Sequence, residues 1–257
     1  MTFDLARFNE ILRTRYIGQN LVFEASVGST MDLARDAARH GAADGTVALA
    51  DEQTAGRGRL GRSWITPPAT NLASTIVLRP PRSVVRDVAM IAPLAICHAV
   101  EDVAGIRPGI KWPNDVMVRD RKLAGVLIET DLTDEQAPLV LVGAGINVNF
   151  DPSAHEEIAG IATSLRHELG RDADREALLA AYLLHFERMY DAAKAGESPR
   201  ARWRERLVTL GKDVRATTPA GAVEGRAEDV DDGGALLVRT PSGDLVTVEA
   251  GDVTLRA

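Results

Sequence analysis

Two stretches of the chain hold residue types from which a reaction could be assembled. The first runs from Asp51 to Trp64, Asp-Glu-Gln-Thr-Ala-Gly-Arg-Gly-Arg-Leu-Gly-Arg-Ser-Trp, and sets Gly56, Gly58 and Gly61 between Arg57, Arg59 and Arg62. Each glycine costs a helix ~1 kcal/mol relative to alanine. Alternating glycine and arginine also gives a core strand nothing to bury. What remains is a pliable backbone with bare N–H groups and guanidinium forks, which suits a carboxylate or a phosphate. The second stretch is Lys111-Trp-Pro-Asn-Asp115, with Lys122 a short turn further on. Pro113 holds Trp112 extended, so Lys111, Asn114 and Asp115 are presented together at a bend. Two ammonium groups, an amide and a carboxylate suit a nucleotide phosphate and a metal ion. Taken singly, the first stretch also reads as a solvated basic loop and the second as a turn of solvated charges.

Gly56, Gly58 and Gly61 formally spell G-x-G-x-x-G, but a dinucleotide fold needs a helix to open on them. Ser63-Trp-Ile-Thr-Pro-Pro68 follows instead, and its two prolines refuse a helix. No Gly-Lys-Ser/Thr is present, so the loop is not a Walker A motif. The 257-residue chain is 45% apolar and 26% charged, ordinary for a globular protein, with a net charge of −7. An acidic body carrying one basic loop favours a small anionic ligand over a polyanion. The single cysteine, Cys97, sits in an apolar run and reads as core, which excludes a disulfide framework and a cysteine-built zinc site. No apolar run reaches membrane-spanning length, and the N-terminus lacks a signal-peptide core. The cytoplasm is the expected compartment.

Several elements must position the two stretches. Asp4–Arg15 reads as a short amphipathic helix and Leu21–Ser26 as a strand. Ser29 and Asp32 make a capping-box pair that starts a helix through His40. Ser29 and Thr30 either cap that helix or turn a hydroxyl toward a ligand. Thr46–Gln53 is a strand delivering the arginine loop, and Asn71–Leu78 is another. Val84–Ala104 is a long apolar helix in which Pro93 marks a kink or the true start. Ile110–Val118 and Lys122–Glu129 form a hairpin about the turn Arg119–Arg121, and Pro138–Asn149 is the next strand. Strands joined by short turns point to an antiparallel or mixed sheet. Asp174–Ala195 and Ser198–Leu210 are helical. From Gly211 onward, short strands at Asp213–Thr217, Ala222–Val230, Ala235–Thr240 and Asp244–Val248 alternate with turns such as Thr218-Pro-Ala-Gly221. Such regular spacing predicts a small β-barrel.

Together the motifs resemble the biotin–protein ligases. The matching text is Gly28-Ser-Thr30, the whole of Asp51–Trp64, Lys111-Trp-Pro-Asn-Asp115, Arg121-Lys-Leu-Ala-Gly125 and Gly143-Ala-Gly-Ile-Asn-Val148, in the family's order over almost the whole chain. The resemblance implies an α+β fold. A catalytic domain related to class II tRNA synthetases, with a mixed sheet and flanking helices, would occupy residues 1–210. An SH3-like β-barrel would occupy residues 211–257. It also implies a two-step reaction. Biotin and ATP with Mg2+ give biotinyl-5′-adenylate, which then acylates one lysine of a biotin carboxyl carrier protein.

By the family pattern, Ser29, Thr30 and Gln53 hold the ureido ring of biotin, and Gly56 belongs to the loop that covers it. Arg57 touches biotin and phosphate, and Arg59 and Arg62 belong to the same cover. Trp64 packs near the ligands. Lys122 bridges the biotin carboxylate and the α-phosphate, and the Gly125 backbone lines the biotin pocket. Lys111 and Asn114 face the nucleotide phosphates, and Asn147 meets the adenine edge. Asp115 serves the metal or receives the proton of the attacking lysine, and the residues leave both open. Met31 departs from the pattern, since many relatives carry asparagine there. Monomer and homodimer both remain open. A lipoate–protein ligase is the nearest rival, but its basic loop has a different glycine and histidine pattern. Only Met1–Leu21 precede the first strand and hold one helix of mixed charge. The acidic C-terminal region, with Asp229, Asp231, Asp232, Asp244, Glu249 and Asp252, would repel phosphates. The expectation is therefore a ligase with no DNA partner and no repressor role.

Overall fold

The computed structural model describes residues 2–133, 138–218, 221–249 and 251–255, the side chain of Asp252 excepted. Seven strands make the larger sheet: β1 (Leu21–Val27), β2 (Val47–Gln53), β3 (Leu72–Leu78), β4 (Gly109–Lys111), β5 (Asp115–Val118), β6 (Arg121–Asp131) and β7 (Leu139–Ile146). Their spatial order is β1-β2-β3-β7-β6-β5-β4. β1 and β2 are parallel, with Leu21 opposite Val47, and the other neighbours are antiparallel. The sheet is therefore mixed, as short turns between consecutive strands require.

Successive strand residues face opposite sides, and the sequence exploits this. Val140, Val142, Ala144 and Ile146 of β7 join the main core, together with Val47 and Leu49 of β2 and Ile76 and Leu78 of β3. That side carries the long helices α3 (Asp87–Ala104) and α5 (Arg175–Lys194), which pack on each other. The opposite side carries α2 (Thr30–Arg39), whose Met31, Ala34 and Ala38 pack on Ala48, Val77 and Leu141. α3 continues through Pro93 and is preceded by a short turn at Arg82–Val84, so it starts slightly later than its apolar run. α1 (Leu5–Ile11) is capped by Asp4 and lies against α5, where Arg7 pairs with Asp174 and Asp4 N donates to Glu176. α4 (Leu165–Leu169), not expected from the sequence, is capped by Ser164 and ends at Gly170 in the left-handed region. α6 (Arg200–Arg206) leads into Leu207, which bridges to Ile110.

Ser29 does cap α2, accepting from Met31 N, but only half of the expected capping box forms. The Asp32 carboxylate turns away from the helix start and binds arginines. Charge-assisted pairs with guanidinium outcompete a single backbone N–H.

The C-terminal segments form a second sheet: β8 (Asp213–Thr218), β9 (Gly221–Val230), β10 (Leu236–Arg239), β11 (Leu245–Val248) and β12 (Asp252–Leu255). Its order is β11-β10-β9-β8-β12, so the SH3-like barrel expected from strand spacing is not closed. Closure requires the two edge strands to pair with each other. Here β12 crosses to β8, with Asp252 opposite Thr217, while β11 pairs with β10. Both edge strands are four residues long, which leaves little ladder to offer. The expected turn at Thr218–Gly221 includes residues 219–220, which lie outside the described residues. The inner face of the second sheet, including Val214, Ala216, Leu236 and Val238, is continuous with the main core.

Candidate functional site

A cavity of about 860 Å³ opens on the α2 side of the larger sheet. Its floor exists because β6 and β7 place glycines on that face. A Cβ on Gly143 would come within 2.7 Å of Met31 Sδ, and one on Gly145 within 2.4 Å of the Trp64 indole. A Cβ on Gly125 would lie 3.1 Å from Lys122 Nζ. Backbone without side chains thus makes room for an aromatic ring and an ammonium group to lie over the strands.

The two chemical stretches meet here. Ser29, Thr30, Gln53, Arg57, Arg59, Arg62, Trp64, Lys111, Asn114, Asp115, Lys122, Gly125 and Asn147 all line the cavity. Gly56 does not line it; a Cβ there would sit 2.3 Å from Trp64 O, so this glycine serves the close approach of two chain segments. Asp51, which opens the first stretch, faces the other side. It accepts from Phe3 N at 3.0 Å and pairs with buried Arg175 at 2.8 Å.

The arginine loop is a small hairpin and not an open coil. Gly58 N donates to Arg62 O at 2.7 Å and Trp64 N to Gly56 O at 2.9 Å, so two N–H groups read as bare are spent on closing it. Leu60 at the tip is 69% exposed, with a left-handed backbone (φ 56°) that costs a branched side chain some strain. Arg57 grips Asp32 with both Nη atoms, at 2.7 and 2.8 Å. Arg35 links Asp32 to Glu129 on β6. The Arg57 hydrogen bond, followed by that of Arg35, holds the Asp32 carboxyl down to about 2. Arg59 spans from Asn114 Oδ1 at 3.0 Å to Gly251 O of the C-terminal sheet at 3.1 Å.

The opposite wall is built on the β5–β6 hairpin. Lys122 Nζ lies 2.6 Å from Asp115 Oδ1 and 5.4 Å from the Trp64 ring centroid. Asn114 Nδ2 donates to Val126 O across the hairpin. Lys111 lines the cavity with no ion-pair partner among the described residues. At the α2 end, Gln53 Oε1 accepts from Thr30 N at 2.9 Å and Thr30 Oγ1 at 3.1 Å, and Thr75 donates to Thr30 Oγ1. Asn147 is turned into the wall: it donates to Thr163 O at 3.0 Å and accepts from Asn71 Nδ2 at 3.2 Å. The Trp64 Nε1 donor is buried and has no hydrogen-bond partner among the described residues.

This arrangement can gather two anions between fixed cations, one set on a loop and one on a sheet, over an apolar floor. Sequence reasoning missed Asp32 and Glu129, which anchor Arg57, and the floor glycines 143 and 145. It also missed the segment Ile158–Ala162, which forms part of the rim. The alternation Gly143-Ala-Gly145 was the available signal for the floor. Nothing local marked the rim segment, which reaches the site through a single bridge from Ala162 to Lys122.

Comparison with known proteins gives a consistent picture. The model of the biotin/lipoate A/B protein ligase family matches residues 23–147, and that of the biotin protein ligase C-terminal domain matches residues 209–256. The biotin–[acetyl-CoA-carboxylase] ligase of Mycobacterium tuberculosis is 37% identical, over 94% of this chain and 93% of that protein. The bifunctional ligase/repressor BirA of Bacillus subtilis is 34% identical, over 95% of this chain and 76% of that protein. The solved biotin protein ligase from Aquifex aeolicus in complex with biotin and ATP superposes with a TM-score of 0.80 at 29% identity, covering 93% of this chain and 99% of that one.

Proposed function

The chain belongs to the biotin–protein ligases of the biotin/lipoate A/B protein ligase family, and from that premise we propose how its own residues perform the ligation. It is an ATP- and biotin-dependent ligase that forms biotinyl-adenylate. A biotin carboxylate oxygen attacks the α-phosphorus of ATP, the bond to the β-phosphate oxygen breaks, and pyrophosphate leaves. The amine of a carrier-protein lysine then attacks the acyl carbon, and AMP leaves with the bonding electrons.

The observation that carries this reading is the meeting of the two cationic motifs on one cavity, which Lys122 and Arg57 both line. Lys122 is assigned to the bridge between carboxylate and α-phosphate, where charge is greatest. Its ammonium pairs with Asp115 at 2.6 Å. As substrates draw it away, the Asp115 carboxylate becomes available to take the proton of the acceptor lysine. Arg57 exchanges Asp32 for the incoming anions, and Lys111 and Asn114 meet the nucleotide phosphates. Arg59 and Arg62 complete the loop cover. Ser29, Thr30 and Gln53 hold the polar ring of biotin, and Met31 presents a thioether where an amide is expected. Asn147 reaches the adenine edge with the amide N–H and lone pair left over from its wall contacts.

Bound with ATP, Mg2+ would supply charge neutralisation at the phosphates. In its alternative role Asp115 would hold that ion as one carboxylate ligand instead of receiving the lysine proton. Among the described residues no group of three acidic, histidine or cysteine side chains forms a dedicated cage. We divide the chain into a catalytic unit, residues 1–210, and a C-terminal unit, residues 211–257. The cytoplasm, where ATP is supplied, is part of the same proposal. Helix α1 is seven residues long and is tethered to α5 by the Arg7–Asp174 pair, so it is not free to enter a DNA groove. We therefore expect this 257-residue chain to act as a ligase without sequence-specific DNA binding.

Calorimetric titration with biotin, followed by pyrophosphate release on adding ATP, tests the reading. Saturable biotin binding and biotin-dependent pyrophosphate release are expected. Binding of lipoate in preference to biotin would transfer the chain to the rival chemistry.

A further inference from the structure

The backbone of Lys122 is linked to a buried carboxylate that does not touch its side chain. That backbone is clamped on both sides by the segment Ile161–Thr163. Lys122 N donates to Ile161 O at 2.8 Å, and Thr163 N donates to Lys122 O at 2.9 Å. That segment belongs to no strand of the sheet; beyond this bridge it is tied by Asn147, whose Nδ2 donates to Thr163 O, and by one buried carboxylate. The carboxylate is the side chain of Glu168 on α4, which is 3% exposed. Its Oε1 accepts from Thr163 Oγ1 at 2.6 Å and from Arg121 Nη2 at 3.0 Å. Its Oε2 pairs with Arg119 Nη1 at 3.3 Å. One buried carboxylate thus joins the residue before Lys122, the turn that starts β6 and the strand-like segment across from it.

We propose that Glu168 is a positioning residue for Lys122, setting the height and direction from which the ammonium reaches the reacting anions. This rests on the assignment of Lys122 to the bridge between carboxylate and α-phosphate. A buried anion with three donors is a costly device for mere stability, since an apolar contact of the same volume would serve as well. It does, however, hold geometry. Charge-assisted hydrogen bonds from two guanidinium groups and a hydroxyl have narrow distance and angle ranges. A small misplacement of a charge-stabilising group is expensive for rate and cheap for substrate binding. Asn147 closes the same segment from the β7 side through Thr163 O, so Glu168 supplies the lateral restraint and Asn147 the depth.

The test compares Glu168→Gln and Thr163→Val with the parent enzyme in pyrophosphate release, and repeats both in a Lys122→Ala background. Thr163→Val leaves the two arginine pairs intact and guards against a Glu168→Gln protein that fails to fold. Both variants should lower kcat, Glu168→Gln by about tenfold and Thr163→Val by a few fold, with KM for biotin within about twofold of the parent. Affinity for a non-hydrolysable biotinyl-adenylate analogue, measured by calorimetry, supplies the second readout. Each substitution should weaken it in the Lys122 protein and leave it unchanged in the Lys122→Ala protein, because the two residues act as one unit. Equal weakening in both backgrounds, or unchanged kcat in a folded variant, overturns the proposal and leaves Glu168 a structural residue. If Lys122→Ala itself releases pyrophosphate at nearly the parent rate, the assignment of Lys122 has failed, an outcome distinct from the failure of Glu168.

Discussion

The arginine loop, Gly56–Arg62, and the hairpin strands from Lys111 to Lys122 face each other across one cavity and are held in opposite ways. The hairpin is woven into the sheet: Asp115 pairs with Gly125, Gly125 with Gly145, and Lys122 is bridged to Ala162. The loop stands on its own short hairpin and on side-chain contacts that another anion or acceptor can replace. Arg57 holds Asp32, and Arg59 holds Asn114 and Gly251. The difference shows where rigidity is required. On the proposed mechanism, the charge assigned to bond making, Lys122, is fixed by backbone pairing. The charges assigned to admitting substrate and shielding the adenylate, those of the loop, rest on exchangeable side-chain partners. Ordering a loop costs ~1–2 kcal/mol per residue, so these pairs also lessen the cost of closing it.

Substitutions on the two sides should therefore differ in kind. Lys122→Ala should remove adenylate formation by roughly 10²–10³-fold, as loss of one fixed transition-state donor does elsewhere. Pyrophosphate release within a few fold of the parent would break the comparison. On the loop, Arg57→Gly should leave adenylate formation measurable but speed its escape by about tenfold or more, the size of a lost charge-assisted pair. Biotin labelling of an unrelated lysine-rich protein reads this directly, and labelling no higher than the parent's would mean the loop is not the gate.

Asp32→Asn addresses the latch alone. It removes the charge that holds Arg57 without touching the hairpin, so trypsin should cut the ligand-free loop a few fold faster. The adenylate analogue should restore resistance. The contribution is modest because the Asp32 side chain is 47% exposed and the pair is screened by solvent.

The smallest expected effect is that of pH on the same latch. Arg57 and then Arg35 hold the Asp32 carboxyl down to about 2. A carboxyl depressed in the folded state stabilises it fully above the ordinary carboxylate range. That stability is lost only as pH falls toward the depressed value. Tryptic cleavage of the loop, normalised to the protease's own activity, should therefore be flat between about pH 6 and 8. A slope across that interval would show that another group holds the loop.

Much of this was legible in the text of the chain. Helices and strands of the catalytic sheet follow from apolar spacing, and the cap at Ser29 from its residue type. The two motifs announced themselves because glycine beside arginine, and lysine beside asparagine and aspartate, have few structural uses in that density. Local pattern could not say what the polar groups would choose as partners. Asp32 satisfied the capping pattern and went to Arg57 instead, because the guanidinium arrives from a loop twenty-five residues away in sequence and binds more strongly. Strand spacing announced the second sheet correctly in most of its strands, yet not its open edges. Alternation reports which face a residue takes, whereas edge pairing depends on where distant strands end. The same holds at the site's centre. The residue type of Lys122 declared a cation, but the segment that pairs with its backbone is tied to Glu168 and Asn147 by contacts that spacing along the chain does not report. Residue type and spacing determine which chemistry is available, since ionisation and backbone freedom are local properties. Tertiary structure decides where that chemistry points, since position is set by contacts between segments that do not encode one another.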